Sequence, residues 1–475
     1  MNDLRAAFKG RLLESAEEMA PFLTDYRRRF TGQALAVAQP DSAADVAAIV
    51  RWCAANAVAL VPQGGNTGLV GGSIPDETGR TLLLSLVRMQ RILEIDPLNN
   101  TMTVEAGCIL ANVQQAARGA QRLFPLSLGA EGSCTIGGNL ATNAGGIQVL
   151  RYGNARDLCL GLEVVTADGQ VWNGLRGLRK DNTGYDLKQF FIGSEGTLGI
   201  ITAATLKLYP QPAAQMTAFA AVPGAFAALQ LFELAQRRLA ATLTAFELLD
   251  AECVEVIERN SPCRKPLSGA SPFYVLLESS DPGSAQNATA NFEALMEEAL
   301  EAGVITDAAV ASSISQSESF WALRHHVAEA QAREGENLKH DISLPISRIP
   351  QFIEEAAAVI SARDSSLRII AFGHVGDGNL HYNISPRRGA DAAEYARFRA
   401  GEKALSALVY EIVARLQGSI SAEHGIGALK LADNVRYKSR LDLQMMRSVK
   451  QALDPRGLFN PGRLFPMDEA PARPS

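Results

Sequence analysis

The chain has 475 residues, 47% of them hydrophobic, with a formal charge of -6; that length supports about two to four domains. Its charge gives no basic footprint for nucleic acid or an anionic membrane, so small molecules or proteins are the expected partners. The six cysteines show no C-x-x-C spacing, which excludes a zinc ribbon and a disulfide scaffold, and no apolar run approaches the ~18 residues of a spanning helix. The charged start "MNDLRAAFKGRLLESAEEMA" does not read as a signal peptide, and a soluble, cytoplasmic protein is expected.

In chain order, residues 1–35 read as a charged helical lead-in. "ALAVAQPDSAADVAAIVRWCAANAVALVPQGG" then reads as strand, helix, strand and glycines. Asp41 and Ser42 are the candidate caps of that helix, and Val46, Ile49, Val50 and Cys53 fall on one face. Strands are expected in "TLLLSLVRM", "TMTVEAG", "LEVVTADGQVW" and "GTLGIITAATLKLYP", which closes an α+β block at Pro210. Beyond it, strands "TAFELLD" and "FYVLLESS" alternate with helices at "ATANFEALMEEALEAG", stopped by Gly303, and at "SESFWALRHHVAEAQAREG" and "SRIPQFIEEAAAVISAR". The strand "RIIAFGHV" and a last helix, "GEKALSALVYEIVARLQG", ending at Gly418, complete a second, α/β domain. The apolar "KQALDPRGLFNPGRLFP" is expected to dock on a domain, and "MDEAPARPS" to be disordered by composition. The boundaries expected are 1–35, 36–210, 211–417 and 418–475.

Two stretches are dense in glycine. "PQGGNTGLVGGSIP" follows a strand, and successive glycines let backbone N–H groups converge on phosphate oxygens; structural glycine turns have the same composition. The spacing matches neither G-x-G-x-x-G nor a P-loop. "LGAEGSCTIGGNLATNAGG" adds small hydroxyl and amide residues among glycines. With "NTGYDLKQFFIGSEGTLGIIT" further on, the three segments favour a large nucleotide over chance turns.

Two of the six histidines flank a turn in "AFGHVGDGNLHYNI". Read as a hairpin around "GDGN", the segment sets His374 opposite His381, with Asn383 on the same face. Such a pair is either a surface neighbour pair or half of a metal site. "SAEHGIG" supplies Glu423 and His424, and His374, His381 and Glu423 form a two-histidine, one-carboxylate set suited to zinc or another divalent ion. Arg324 falls on the helix face of Phe320, Leu323 and Val327, so it needs an anion, either substrate or a structural carboxylate. His325, His326 and His340 read as packing or solvated residues.

The glycine segments, with "RYGNARD" after the second, resemble the flavin domain of the vanillyl-alcohol oxidase and p-cresol methylhydroxylase superfamily. The resemblance is to its FAD-linked D-2-hydroxyacid dehydrogenase branch and runs from about Pro40 to Leu464. It implies an α+β, two-subdomain FAD-binding domain, an α/β cap (substrate) domain, and a C-terminal segment returning to the flavin domain. It implies FAD along Pro62, Gly64, Gly65, Asn66, Thr67, Gly68, Gly129, Ser133, Gly138, Asn139, Thr142, Gly146, Gly196 and Ile201, with Asn460 in the returning segment. The first histidine of the chain is His325, so a histidine tether in the flavin domain is unavailable and noncovalent FAD is expected.

The same resemblance makes His374, His381 and Glu423 ligands of a divalent metal, usually zinc, and His424 the catalytic base. Asn383 and His424 become substrate contacts, and Arg324 with Lys339 the cations that hold a distal carboxylate. One departure is Ala328, where the D-2-hydroxyglutarate dehydrogenase pattern has threonine. The implied reaction is oxidation of D-2-hydroxyglutarate to 2-oxoglutarate, with D-lactate or glycolate as alternative substrates and an oxygen-using oxidase as a further one. An electron-transfer flavoprotein, a quinone or a cytochrome is the implied acceptor, and a homodimer the implied assembly.

Overall fold

The computed structural model describes residues 2–466; the tail 467–475 lies outside the described residues. The chain divides into two compact units, one of Met1–Gly145, Gly153–Gln211 and the chain from Glu423 onward, the other of Gly146–Tyr152 and Pro212–Ala422.

The first unit holds a four-stranded sheet in the order Gly10–Leu13, Ala36–Pro40, Leu82–Ser85, Leu60–Gln63. It also holds a five-stranded antiparallel sheet in the order Ile92–Asp96, Thr101–Glu105, Ile200–Lys207, Cys159–Val165, Val171–Gly174. The helix Ala43–Ala55 begins at Ser42, whose side chain accepts the Asp45 N–H. Its predicted face, Val46, Ile49, Val50 and Cys53, is fully buried. Asp41 does not cap; it accepts from Arg88 Nε at 2.6 Å.

The lead-in is not purely helical. Gly10–Leu13 is a strand antiparallel to Ala36–Pro40, because pairing there satisfies four residues of backbone and buries Leu13. Near the other end of the described chain, Leu458 O accepts from Leu60 N, and Asn460 N donates back to Leu60 O, each at 2.8 Å. The returning segment thus lies beside the strand that leads into the first glycine stretch, with Phe459 fully buried.

The second unit is built on a seven-stranded sheet in the order Asp307–Val310, Ala214–Val222, Phe273–Asp281, Leu243–Asp250, Arg368–Gly373, Asn379–Ser385, Asp341–Ser343. Helices Ala251–Asn260, Ile314–His325 and Val327–Glu334 pack on it through Val254, Ile257, Phe320, Leu323 and Val327. The helix Ala285–Glu301 stops where Gly303 adopts φ +67°, as expected of a C′ glycine. The helix expected from Gly401 starts earlier, at Ala392, because Asp391 and Glu394 form a capping box that outweighs one interior glycine. Its end also differs: Gln417, not Gly418, takes the left-handed position at φ +61°. Gly418 is needed for space, since a Cβ there would lie 2.4 Å from Ser343 O. No helix among the described residues is long and apolar enough to cross a membrane.

One buried carboxyl of this unit is held by the indole of a helix packed on the sheet. Glu278 accepts from Trp321 Nε1 at 2.7 Å, and burial pushes its pKa up. A carboxyl raised by folding contributes stability that is present below its unfolded pKa and lost as pH rises through the folded value. Glu278→Gln, which never ionises, is therefore expected to gain stability relative to the parent as pH rises from about 4.3 toward neutrality. Thermal melts of both proteins across that window check it, and a constant difference counts against it.

Candidate active site

In the first unit, both glycine stretches and His424 line one cavity. Of the residues expected to hold the dinucleotide, Pro62, Gly64, Gly65, Asn66, Thr67, Gly68, Gly138, Asn139, Thr142, Gly196 and Ile201 line it. Gly129, Ser133 and Asn460 are not among the lining residues, and Gly146 belongs to the second unit.

The two stretches are glycine-rich because they press on each other. A Cβ on Gly64 would lie 2.3 Å from Thr135 Oγ1, and one on Gly65 would lie 2.0 Å from Ser133 O. Asn66 turns the loop in the left-handed region at φ +53°, donating from Nδ2 to Thr24 O at 2.9 Å.

These residues fit a dinucleotide. A Cβ on Gly68 would meet nothing within 4 Å, and Asn139 Nδ2 and Thr135 Oγ1 are buried without a hydrogen-bond partner. Polar atoms closed from water cost about 1–3 kcal/mol each unless a ligand completes them. Gly68→Val is accordingly expected to fold normally and to purify with at least about a tenfold lower flavin content, since each lost polar contact is worth about that factor. Flavin absorbance per protein beside a thermal melt decides; full flavin loading speaks against the cradle.

Glu195 is a residue that the motif reading missed. It sits at φ +52° with its carboxylate buried, accepting from Ile426 N at 2.8 Å and Gly427 N at 2.7 Å. Burial pushes this carboxyl up, and the two backbone donors pull it back down. Asn460 Nδ2 closes the knot by donating to Glu195 O at 2.8 Å and Gly72 O at 3.0 Å. The segment "EHGIG" is thereby pinned to this cavity, and a Cβ on Gly145 would lie 2.6 Å from Glu423 Oε1. Nothing in the spacing of glutamates along the chain announces this role for Glu195.

In the second unit, the histidine hairpin forms with a register different from the expected one. Phe372, not His374, lies opposite His381. The strand stops at Gly373, which takes φ +147°, and residues Val375–Asp377 form a 3-10 turn, so His374 leads the turn instead of ending the strand. The imidazoles still meet: their ring centroids are 5.8 Å apart, and their ligand nitrogens lie within 4.8 Å. Two ligands about 2.0–2.1 Å from one ion need only a small further approach.

The second unit surrounds this pair with carboxylates from other strands. Glu247, wholly buried on Leu243–Asp250, has Oε1 2.5 Å from His374 Nδ1 and accepts from Arg324 Nε through Oε2 at 2.6 Å. Burial would raise this carboxyl, but His374 and Arg324 beside it hold it down to about 2. A proton on His374 Nδ1 leaves the lone pair on Nε2, the arrangement of carboxylate-oriented metal ligands. Arg324 Nη2 stands 3.2 Å from that Nε2. An ion held at Nε2 would compete with this N–H for one lone pair. Asp341 lies opposite His381 across the sheet, with Oδ1 3.8 Å from its Nδ1.

The donor set of this unit therefore suits a divalent ion. Glu423, the third expected ligand, belongs to the first unit. Asn383 projects on the strand two residues beyond His381 and is buried, donating to Gln331 Oε1 at 2.8 Å. Lys339 lies two residues before the edge strand Asp341–Ser343 and is half-buried. Of the other histidines, His340 packs edge-on to Tyr410, His325 stacks on Trp321, and His326 bonds to Ala322 O. All six cysteines are free, and burial raises the Cys134 thiol to about 11.

Residues 34–174 match the FAD binding domain family, and residues 211–464 match the FAD linked oxidases, C-terminal domain family. The chain is 40% identical to the mitochondrial D-2-hydroxyglutarate dehydrogenase of Bos taurus, over 98% of this chain and 82% of that protein. It is 39% identical to the D-2-hydroxyglutarate dehydrogenase of Xanthomonas citri pv. viticola, over 97% and 95%. A putative D-lactate dehydrogenase of Schizosaccharomyces pombe is 36% identical over 94% and 84%. In fold the chain is similar to p-cresol methylhydroxylase, with a TM-score of 0.77 and 14% identity over 99% of this chain and 97% of that one.

Proposed function

Because the chain belongs to the FAD-linked D-2-hydroxyacid dehydrogenase family, a flavoprotein oxidoreductase family, we propose that it oxidises D-2-hydroxyglutarate to 2-oxoglutarate, with His424 as proton acceptor. His374, His381 and Glu423 are the proposed ligands of a divalent ion, with zinc the first candidate. The observation that carries the reading is His424 lining the glycine-walled cavity that fits a dinucleotide.

FAD, when bound, supplies the hydride acceptor that no side chain provides. A divalent ion, when bound, supplies a Lewis acid. The remaining work falls to the chain. His424 takes the proton of the substrate hydroxyl on its neutral imidazole, Asn383 hydrogen-bonds the substrate, and Arg324 and Lys339 face its carboxylates. Glu247 keeps the His374 ring in the tautomer that offers Nε2.

Two cations favour a dicarboxylic acid, because a methyl group in place of the distal carboxylate leaves a charge without its partner. D-lactate is the second reading, favoured by Arg324 already being paired with Glu247 and by Ala328 offering no hydroxyl. Anaerobic titration of holoprotein with D- and L-2-hydroxyacids tests both readings. Bleaching of the flavin by D-2-hydroxyglutarate, with Lys339→Ala losing about tenfold or more in kcat/KM for it alone, is expected of the first. Equal rates with both acids and no effect of the substitution end the dicarboxylate proposal. A persistently yellow protein ends the dehydrogenase one. Electron-transfer flavoprotein, quinone and cytochrome are the proposed acceptors, to be ranked by the rate at which each reoxidises the bleached enzyme. A cytoplasmic homodimer is the proposed setting.

A further inference from the structure

The second unit buries two amides against each other with only half of their hydrogen bonding used. Gln331, on the helix Val327–Glu334, and Asn383, on the strand Asn379–Ser385, are each 2% exposed. Asn383 Nδ2 donates to Gln331 Oε1 at 2.8 Å, while Gln331 Nε2 and Asn383 Oδ1 are buried with no hydrogen-bond partner. Flipping both amides reverses the bond but not the outcome: one NH2 group and one carbonyl oxygen still go unmatched. A protein interior that needed only packing would hold apolar side chains here at lower cost, since an amide atom closed from water and left unmatched is destabilising.

The position of the pair says what it meets. Asn383 follows His381 by two residues on one strand face, about 6.8 Å along the strand. Along the sheet it is one step beyond the imidazole pair, since Ile370 lies opposite Asn383 and Phe372 opposite His381. Arg324, whose guanidinium lies over the Phe372 ring at 5.0 Å, stands at the end of the helix Ile314–His325, seven residues before Gln331 in the next helix, with Ala328 between them in sequence. A hydroxyacid reacting beside the imidazoles reaches that step only if it carries a second polar group two methylenes from the reacting carbon. The methyl group of D-lactate does not reach it.

We infer that Gln331 is a specificity-determining residue, whose amide pair with Asn383 receives the distal carboxylate of a dicarboxylic 2-hydroxyacid. The inference rests on the dehydrogenase reading above and deepens it. Arg324 is already engaged by Glu247, so a neutral donor at Gln331 adds affinity for the anion without placing another charge in the interior.

The test is steady-state kinetics of two variants on two acids. Gln331→Leu is expected to raise KM for D-2-hydroxyglutarate about tenfold with kcat within about twofold, and to leave D-lactate unchanged. Gln331→Glu keeps the shape and the acceptor for Asn383 and sets a negative charge against the carboxylate. It is expected to cost about a hundredfold in kcat/KM for the diacid alone, and it serves if the leucine variant folds poorly. Equal losses on both acids, or none on either, overturn the inference while leaving the reaction itself standing. Isothermal titration of holoprotein with glutarate and with acetate separates the two failures. If the parent oxidises no 2-hydroxyacid, the dehydrogenase reading falls; glutarate binding about tenfold weaker in Gln331→Leu then still supports the carboxylate role, and unchanged or undetectable glutarate binding overturns it.

Discussion

His424→Ala is expected to slow flavin reduction by D-2-hydroxyglutarate about 10²- to 10⁴-fold, the range for removing a positioned proton acceptor. Flavin content should stay at the parent level. His424 lines the cavity, but the cradle is made by the backbone of Gly64–Gly68 and by Gly138–Thr142, which the substitution does not touch. The loop should also hold its place, because the backbone N–H groups of Ile426 and Gly427 anchor it on Glu195. Anaerobic stopped-flow reduction reads the result. Reduction at the parent rate removes His424 from the chemistry, and loss of flavin with normal reduction of what remains makes it a cofactor contact instead.

Glu247→Ala should have the largest effect on stability. The carboxylate is wholly buried and serves two groups at once, His374 at 2.5 Å and Arg324 at 2.6 Å. Removing one partner of a buried ion pair typically costs about 3–5 kcal/mol, because the other charge stays behind unpaired. Here that charge is Arg324, whose side chain is only 12% exposed. A second effect should follow on the proposed divalent ion, since losing the group that orients a histidine ligand typically weakens metal binding about 10- to 100-fold. Glu247→Gln separates the two. It keeps the volume and one acceptor, so it should fold better than the alanine variant and still bind metal more weakly than the parent. Denaturant unfolding and chelator competition give the two numbers; a fully stable alanine variant with parental metal affinity would show that Glu247 organises neither neighbour.

The sequence carried most of what local chemistry determines. Ser42 and the face Val46, Ile49, Val50 and Cys53 define a helix without reference to anything else, and Gly303 marks where another stops. The glycine stretches were legible because their composition answers to a local demand, close backbone approach, which the contacts of Gly64 and Gly65 with residues 133–135 display. The histidine hairpin was legible as a pair but not in register. "GDGN" is a turn by composition, yet Gly373 at φ +147° ends the strand one residue before His374. Glu247, Asp341 and Glu195 were invisible for a common reason. Each acts on residues far away in the chain, His374, His381 and Ile426–Gly427, and a lone carboxylate has no spacing to betray its partner. Gln331 was hidden the same way, one polar residue in an otherwise ordinary helical pattern.

The pairing of Leu60 with the segment at Leu458–Asn460 also dictates an order of events during synthesis. The strand that opens the first glycine stretch leaves the ribosome early, and its neighbour arrives only after residues 212–422 have been made. The cofactor cradle therefore waits, half-built, while the second unit emerges and can fold on its own. Released chains truncated before residue 423 should expose the glycine loops to protease, and released chains that include Leu458–Asn460 should protect them.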